Sequence, residues 1–308
     1  MRIIAIIPAF NEEETIGEVI KNVSKFVSKV IVINDGSTDK TESIAKKDGA
    51  MVFNNIIRKG LGRTIRKGYQ LALENDAEIV VQIDADNQYT AEDIPKLVKP
   101  IIENKADMVL ASRFQGGMEG MPFSKRFGNI ISTFVTNMVS GAKISDSTTG
   151  FRAIRKEVLE EISPTSDFTY TQEMIIRVQK EGWRIAEIPS FFKKRKSGES
   201  RLFSSVVTYA RNAFLIIVLT YRDYHPVKFF GIPGIILGLA GFILGLHIIS
   251  LHFAGINLNS RFGLIVLSAF LMLSGLILVS MGIIADAIEQ KFRQTKREMI
   301  AIKRMQKK

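Results

Sequence analysis

The chain has 308 residues, no cysteine, three histidines and a formal net charge of +11. Without cysteine there can be no disulfide, no thiolate metal site and no cysteine catalysis, which fits an intracellular active domain. The histidines, His225, His247 and His252, lie in the last third, so a Ser-His-Asp hydrolase or a histidine-rich zinc site is excluded from the first two hundred residues.

The chain opens on a strand-like run, residues 2–8, rather than on a signal peptide. Further short runs rich in Ile and Val follow at 29–34, 78–84 and 107–112. They are apolar on both faces, as strands of a covered parallel sheet are. Helical stretches separate them, and Asn11 with Glu14 reads as a capping-box-like start for the first. This alternation predicts an α/β domain with ligands at the carboxyl ends of its strands.

Polar motifs sit at those ends. Pro8-Ala9-Phe10-Asn11-Glu12-Glu13 closes the first run and Asn34-Asp35-Gly36-Ser37-Thr38-Asp39 the second. Asp35 and the glycine after it can bring a carboxylate and backbone amides to a base or ribose. Neither segment has the Gly-x-Gly-x-x-Gly of a dinucleotide-binding turn. After residues 78–83 comes Asp84-Ala85-Asp86-Asn87-Gln88. Two carboxylates on alternate residues can approach one cation and Gln88 offers a neutral oxygen, a donor set that suits Mg²⁺ or Mn²⁺.

Beyond residue 201 the character changes. Residues 202–221 are apolar but broken by Arg211 and Asn212, the pattern of an amphipathic helix in a membrane interface; a third span is the alternative. Residues 229–253 and 262–285 then run for 25 and 24 positions without Lys, Arg, Asp or Glu. A bilayer core needs about 20 apolar residues in a helix, so each can span, and the short link at 254–261 makes them a hairpin. Gly234, Gly238, Gly241 and Gly245 suit close helix packing, either within the hairpin or between subunits of a homo-oligomer. Residues 291–308 carry eight Lys or Arg and one acid, Glu298, and Lys193, Lys194, Arg195, Lys196 and Arg201 precede the hairpin. Basic charge beside apolar segments favours a membrane over nucleic acid as partner and puts both flanks in the cytoplasm. The expected organisation is a cytoplasmic catalytic domain over 1–201, an interfacial helix over 202–224, a transmembrane hairpin over 225–290 and a basic tail over 291–308.

The three strand-end motifs, followed by Asp146-Ser147-Thr148-Thr149-Gly150-Phe151-Arg152, resemble in order and spacing the family 2 glycosyltransferases of the GT-A fold. The resemblance is closest to the dolichyl-phosphate mannose synthases and related polyprenyl-phosphate sugar transferases, and covers about residues 1–201. It implies that Pro8, Phe10, Glu12 and Asp35 hold the nucleoside. Asp84, Ala85 and Asp86 approach the ribose and diphosphate. Asp86 and Gln88, with Asp84, are the ligands of Mg²⁺ or Mn²⁺. Arg113 and Arg126, flanking the loop 114–125, receive the lipid phosphate, so Asp86, Arg113 and Arg126 form the catalytic set. Residues 195–201 resemble the family's Arg-x-x-Gly-x-Ser-Lys segment, with Arg195 and Arg201 toward the donor and arginine in place of the last lysine, which keeps the cation and changes its geometry. Phe10 stands where tyrosine is common, which removes a hydroxyl and keeps stacking. Arg58-Lys59-Gly60-Leu61-Gly62 resembles a glycine turn near the nucleotide. Glu173 is either a base or a structural carboxylate.

The implied reaction is inverting transfer of one hexose, mannose before glucose, from a donor of the GDP-mannose or UDP-glucose type to a dolichyl or polyprenyl phosphate in the lipid bilayer. A processive polysaccharide synthase usually shows Gln-x-x-Arg-Trp, which is absent around Trp183, the one tryptophan. A sugar nucleotidyltransferase would need a basic glycine-rich loop where residues 11–14 are acidic. A non-catalytic membrane scaffold that binds nucleotide sugars is separated from an enzyme by an activity assay.

Overall fold

The structure, a computed structural model, describes residues 1–164, 167, 169–194, 218–219, 221–256 and 261–306. They form two compact units, Met1–Ile216 and Ile217–Lys308. The expected interfacial helix falls largely outside the described residues, as do Arg195 and Arg201.

The first unit is built on a seven-stranded sheet: β1 (Ile3–Ala9), β2 (Lys29–Asn34), β3 (Met51–Asn54), β4 (Ile79–Gln82), β5 (Met108–Ser112), β6 (Arg152–Arg155) and β7 (Ile185–Pro189). The strand order is β3-β2-β1-β4-β6-β5-β7. Only β6 runs antiparallel to its neighbours, β4 and β5. Alternate residues of β1 feed two cores. Ala5, Ile7 and Ala9 join one cluster with Ile16, Val19, Ile20 and Val23 of α1 (Ile16–Val23) and Ile94, Leu97 and Ile101 of α4 (Ile94–Ile102). Ile4 and Ile6 join the other, with Ile65 and Tyr69 of α3 (Leu61–Glu74), Val158 of α7 (Lys156–Glu161) and Met174 of α8 (Tyr170–Lys180). Between α1 and α3 lies α2 (Thr41–Lys47). Helices thus cover both faces, which is why the strands read as continuous apolar runs.

Asn11 does not cap α1. Its backbone is left-handed, φ 53°, and its Oδ1 accepts from the Thr38 amide at 2.8 Å. The helix starts at Ile16 after Thr15, without a side-chain cap. A missing cap costs about 1 kcal/mol, while each of the four buried aliphatic side chains contributes roughly 1.5–3 kcal/mol, so packing fixes this helix.

The second unit holds two long helices, Pro226–Phe253 and Phe262–Gln306. The latter continues without a break through the basic tail, so the tail is no separate element. Both helices are long and apolar enough to cross a membrane, and only 17% and 11% of their most apolar windows are buried. Soluble core helices are buried; these are not. Glycines set their contact. A Cβ on Gly275 would lie 2.6 Å from the Gly234 carbonyl oxygen, and one on Gly241 would lie 2.8 Å from that of Ser268. The Ser268 hydroxyl donates to the Gly241 carbonyl at 2.8 Å. Close packing within the hairpin is therefore the role of Gly234 and Gly241.

Gly275→Val should loosen the hairpin by about 1–3 kcal/mol through overpacking, whereas Gly238→Ala, whose Cβ would meet nothing within 4 Å, should be tolerated. Reversible unfolding of the full chain in mixed micelles compares the two.

Candidate active site

The motifs converge where β1 and β4 part. Their pairing ends at Ile6 with Gln82, while β1 stays paired with β2 as far as Ala9 with Asn34. Pro8, buried in β1, has no N–H to continue the ladder toward β4. The strand order reverses at that point, which is where α/β sheets bind ligands. Residues 10–12 border it on one side and residues 84–88 on the other.

Asp84 is half-buried. Its pKa is pushed up to about 7, first by burial and then by the Asp86 carboxylate; Arg113 and Arg152 pull it down and Glu12 adds repulsion. Gly150 makes the position attainable, since a Cβ there would fall 2.6 Å from Asp84 Oδ2. Asn87 is left-handed, φ 57°, and the Gln88 amide donates to Asp86 Oδ1 at 3.2 Å, closing an Asx turn. The Gln88 side-chain nitrogen donates to the Lys193 carbonyl at 3.0 Å, which leaves its oxygen as the end suited to a cation. Ala85 is buried in the core, so only its backbone can face a ligand.

Two mutually repelling carboxylates and an amide oxygen at one strand end fit a divalent cation, which would relieve their repulsion. No group of three or more His, Cys, Asp or Glu suited to a metal occurs among the described residues, so a cation here would need oxygen ligands other than these acidic side chains.

Asp35 has a part that its motif did not reveal. Its carboxylate accepts from Asn55 Nδ2 at 2.8 Å and from the Lys59 and Gly60 amides at 2.9 Å. Burial pushes its pKa up, but these hydrogen bonds outweigh it and hold the carboxyl below the usual range. Gly36 completes the clamp: φ is 77° and a Cβ would sit 3.0 Å from the Arg58 nitrogen. The clamped turn carries the Arg58 guanidinium over the Phe10 ring, 4.2 Å from its centroid. One face of Phe10 is thereby covered by Arg58.

The antiparallel strand brings a second cluster to the same end. Before β6 runs the turn 146–150, and after β5 comes the short helix α5 (Arg113–Gly116). Arg113 is 7% exposed and Asp146 fully buried. They form a two-pronged pair, Nε to Oδ2 at 2.6 Å and Nη2 to Oδ1 at 2.8 Å. Nη2 also donates to Thr148 Oγ1. Burial would raise the Asp146 pKa, but Arg113 holds it below the usual carboxylate range. Glu187 of β7 anchors the turn by accepting from the Ser145 and Asp146 amides at 2.7 and 3.0 Å. The Tyr89 hydroxyl accepts from the Gly150 amide at 3.2 Å. The loop after α5 pairs with the chain after β7: Phe192 N–H donates to the Gly117 carbonyl at 3.0 Å, and Glu119 N–H to the Phe192 carbonyl at 2.9 Å.

The structure thus brings Pro8, Phe10, Glu12, Asp35, Asp84, Ala85, Asp86 and Gln88 to the carboxyl ends of β1, β2 and β4 and pairs Arg113 with Asp146. Arg126 lies exposed in the first turn of α6 (Phe123–Ser140). Glu173 pairs with Arg177 on α8 at 2.7 Å. Asp146, Tyr89 and Glu187 received no role from the sequence; Asp146 lay in a recognised motif, and only the fold supplies its partner.

Residues 4–163 match the profile of Glycosyl transferase family 2. The chain belongs to that family. It is a glycosyltransferase. A dolichyl-phosphate hexose transferase of Haloferax volcanii is 34% identical over 195 residues, 63% of this chain and 83% of the relative. An undecaprenyl-phosphate mannosyltransferase of Micrococcus luteus is 29% identical over 220 residues, 67% of this chain and 90% of the relative. Glucosyl-3-phosphoglycerate synthase of Mycobacterium tuberculosis, solved with Mn²⁺ and uridine-diphosphate-glucose, shares the GT-A fold at 21% identity, with a TM-score of 0.55 over 71% of this chain and 78% of that one.

Asp146→Asn leaves a buried guanidinium without its counter-charge and should cost about 3 kcal/mol, read as a fall in thermal unfolding temperature. Because its folded pKa is depressed, Asp146 stabilises above the unfolded carboxylate value of about 3.9. In the parent that stability fades as pH falls through the lower folded value; in the variant this acid loss should be absent.

Proposed function

We propose that this family 2 enzyme transfers one hexose, mannose in preference to glucose, from a nucleotide-diphosphate sugar to a polyprenyl phosphate, with inversion. The observation that carries the reading is the pair of repelling carboxylates, Asp84 and Asp86, where β1 and β4 part, together with the buried Arg113–Asp146 pair. The names of the relatives point the same way, and they differ in the sugar named.

In this reading Phe10 and the clamped turn 55–60 hold the base of a GDP- or UDP-type donor, with Pro8, Glu12 and Asp35 shaping the pocket. Asp86, Gln88 and Asp84 would hold Mg²⁺ or Mn²⁺. Such an ion neutralises the leaving diphosphate. A phosphate oxygen of the lipid forms the bond to the anomeric carbon while the bond to the nucleoside diphosphate breaks on the opposite face, which inverts the centre. An alkyl phosphate loses its second proton near pH ~6, so it attacks without a general base. That suits a catalytic unit without histidine and a Glu173 already paired with Arg177. The residues work by positioning and by charge neutralisation. Arg126 receives the acceptor phosphate. Arg113 reaches it only through Nη1, since Asp146 and Thr148 take the rest of its guanidinium. Arg195 and Arg201 are assigned to the donor side by motif alone. Both flanks of the hairpin are assigned to the cytoplasm, where nucleotide sugars are made available.

Asp86→Ala, or removal of divalent cations by EDTA, should abolish transfer while the protein stays folded and membrane-bound. Near-normal turnover in either would contradict the cation assignment. Arg126→Ala should raise the KM for polyprenyl phosphate more than that for the donor, and an equal change in both would remove Arg126 from the acceptor site.

A further inference from the structure

Helix α6 has its polarity reversed. Phe123, Phe127, Ile130, Phe134 and Met138 recur at spacings of three and four and so share one face. They are 82, 54, 49, 67 and 55% exposed. The opposite face is polar and turned inward. Thr133 and Thr136 are buried. The Thr133 hydroxyl donates to Ser147 Oγ at 3.1 Å and accepts the Ser147 amide at 3.0 Å. The Asn137 amide exchanges two hydrogen bonds with the Ile144 backbone, at 2.8 and 3.2 Å. Ser132 accepts from Gln172 at 2.9 Å. A surface helix in water buries its apolar stripe and exposes its polar one. Here the polar stripe is satisfied by the protein, and the apolar stripe faces outward as a contiguous patch of the kind that marks a contact with protein or membrane.

We infer that α6 lies in the headgroup–acyl boundary of a lipid bilayer, its phenylalanine face toward the acyl chains. Two features select lipid. The same chain carries two helices long and apolar enough to cross a membrane, so the catalytic unit is joined covalently to a segment suited to a bilayer. Along α6 and its immediate flanks, residues 121–144, every charged side chain is basic: Lys125 and Arg126 at its start and Lys143 just past its end. Basic side chains flanking an apolar helix face match anionic headgroups. The inner face of the helix holds Ser147 and Ile144, within and beside the turn that carries Asp146 and Gly150. Membrane seating and site geometry therefore share one rigid element. The inference does not depend on which sugar or acceptor the enzyme uses.

The test exploits the absence of native cysteine. Phe127→Cys, Phe134→Cys and, as an aqueous reference, Lys47→Cys on the exposed side of α2 are spin-labelled in the full chain. Each is reconstituted in phosphatidylcholine–phosphatidylglycerol vesicles. Collision rates with oxygen, which concentrates in acyl chains, and with a water-soluble nickel chelate are then compared. Oxygen should dominate at 127 and 134 and nickel at 47. Nickel dominating at all three sites would overturn the inference. So would exclusion of both reagents at 127 and 134, which means burial against protein, or spin–spin broadening that grows with protein-to-lipid ratio, which means a second copy on this face.

Discussion

Asp84 and Asp86 sit at the end of β4 although burial, first, and their like charge both oppose an ionised Asp84 there, and turns from several parts of the chain hold them in place. Asp84 could not sit where it does if residue 150 carried a Cβ. Gly150 is placed by the turn that Asp146, Tyr89 and Glu187 fix. Asp86 is set by the Asx turn at Asn87, and Gln88 is tied to Lys193. Each support comes from a different part of the chain, so the site exists only when the sheet is complete.

The single antiparallel strand explains how distant segments meet. Parallel strands deliver their following loops to one end of a sheet. β6, reversed, delivers its preceding turn to that same end. The Asp146–Gly150 turn thereby faces the Asp84–Gln88 turn, and Arg113 at the end of β5 closes between them. Its charge is largely spent on Asp146, since a buried ion pair is retained only when geometry and additional hydrogen bonds satisfy both partners. In the proposed transfer, positive charge for a reacting phosphate would then come mainly from more exposed cations, and Arg126, Lys193 and Lys194 are the candidates. Bringing two anions together, as the proposed transfer does, requires neutralisation more than proton transfer, in keeping with a first unit that has no histidine.

What was legible in the sequence was local. β1 and β2 announced themselves as unbroken aliphatic runs, and the strand-end motifs carried the family. β3, β6 and β7 are four or five residues long, and β6 reads Arg-Ala-Ile-Arg, which no periodicity marks as a strand. Arg152 within it is fully buried, and its Nε is unpaired. The Arg113–Asp146 pair spans 33 positions and the Asp35 clamp on residues 55–60 about 20 to 25; neither follows from spacing. The Asn11 side chain can serve a helix start or a cross-loop tie equally well, and the neighbouring loop decides for the tie to Thr38. The reversed polarity of α6 is not legible in the sequence because helical periodicity alone does not say which face is turned inward.

The most direct measurement is a transfer assay on the full chain in detergent with Mg²⁺, a polyprenyl phosphate and a panel of radiolabelled nucleotide sugars. The account predicts that label from one donor moves into the lipid phase, in a product with inverted anomeric configuration, and that nucleoside diphosphate is released in equal amount. A folded protein that transfers no label from any donor to the lipid, or that releases nucleotide without labelling it, would contradict the account.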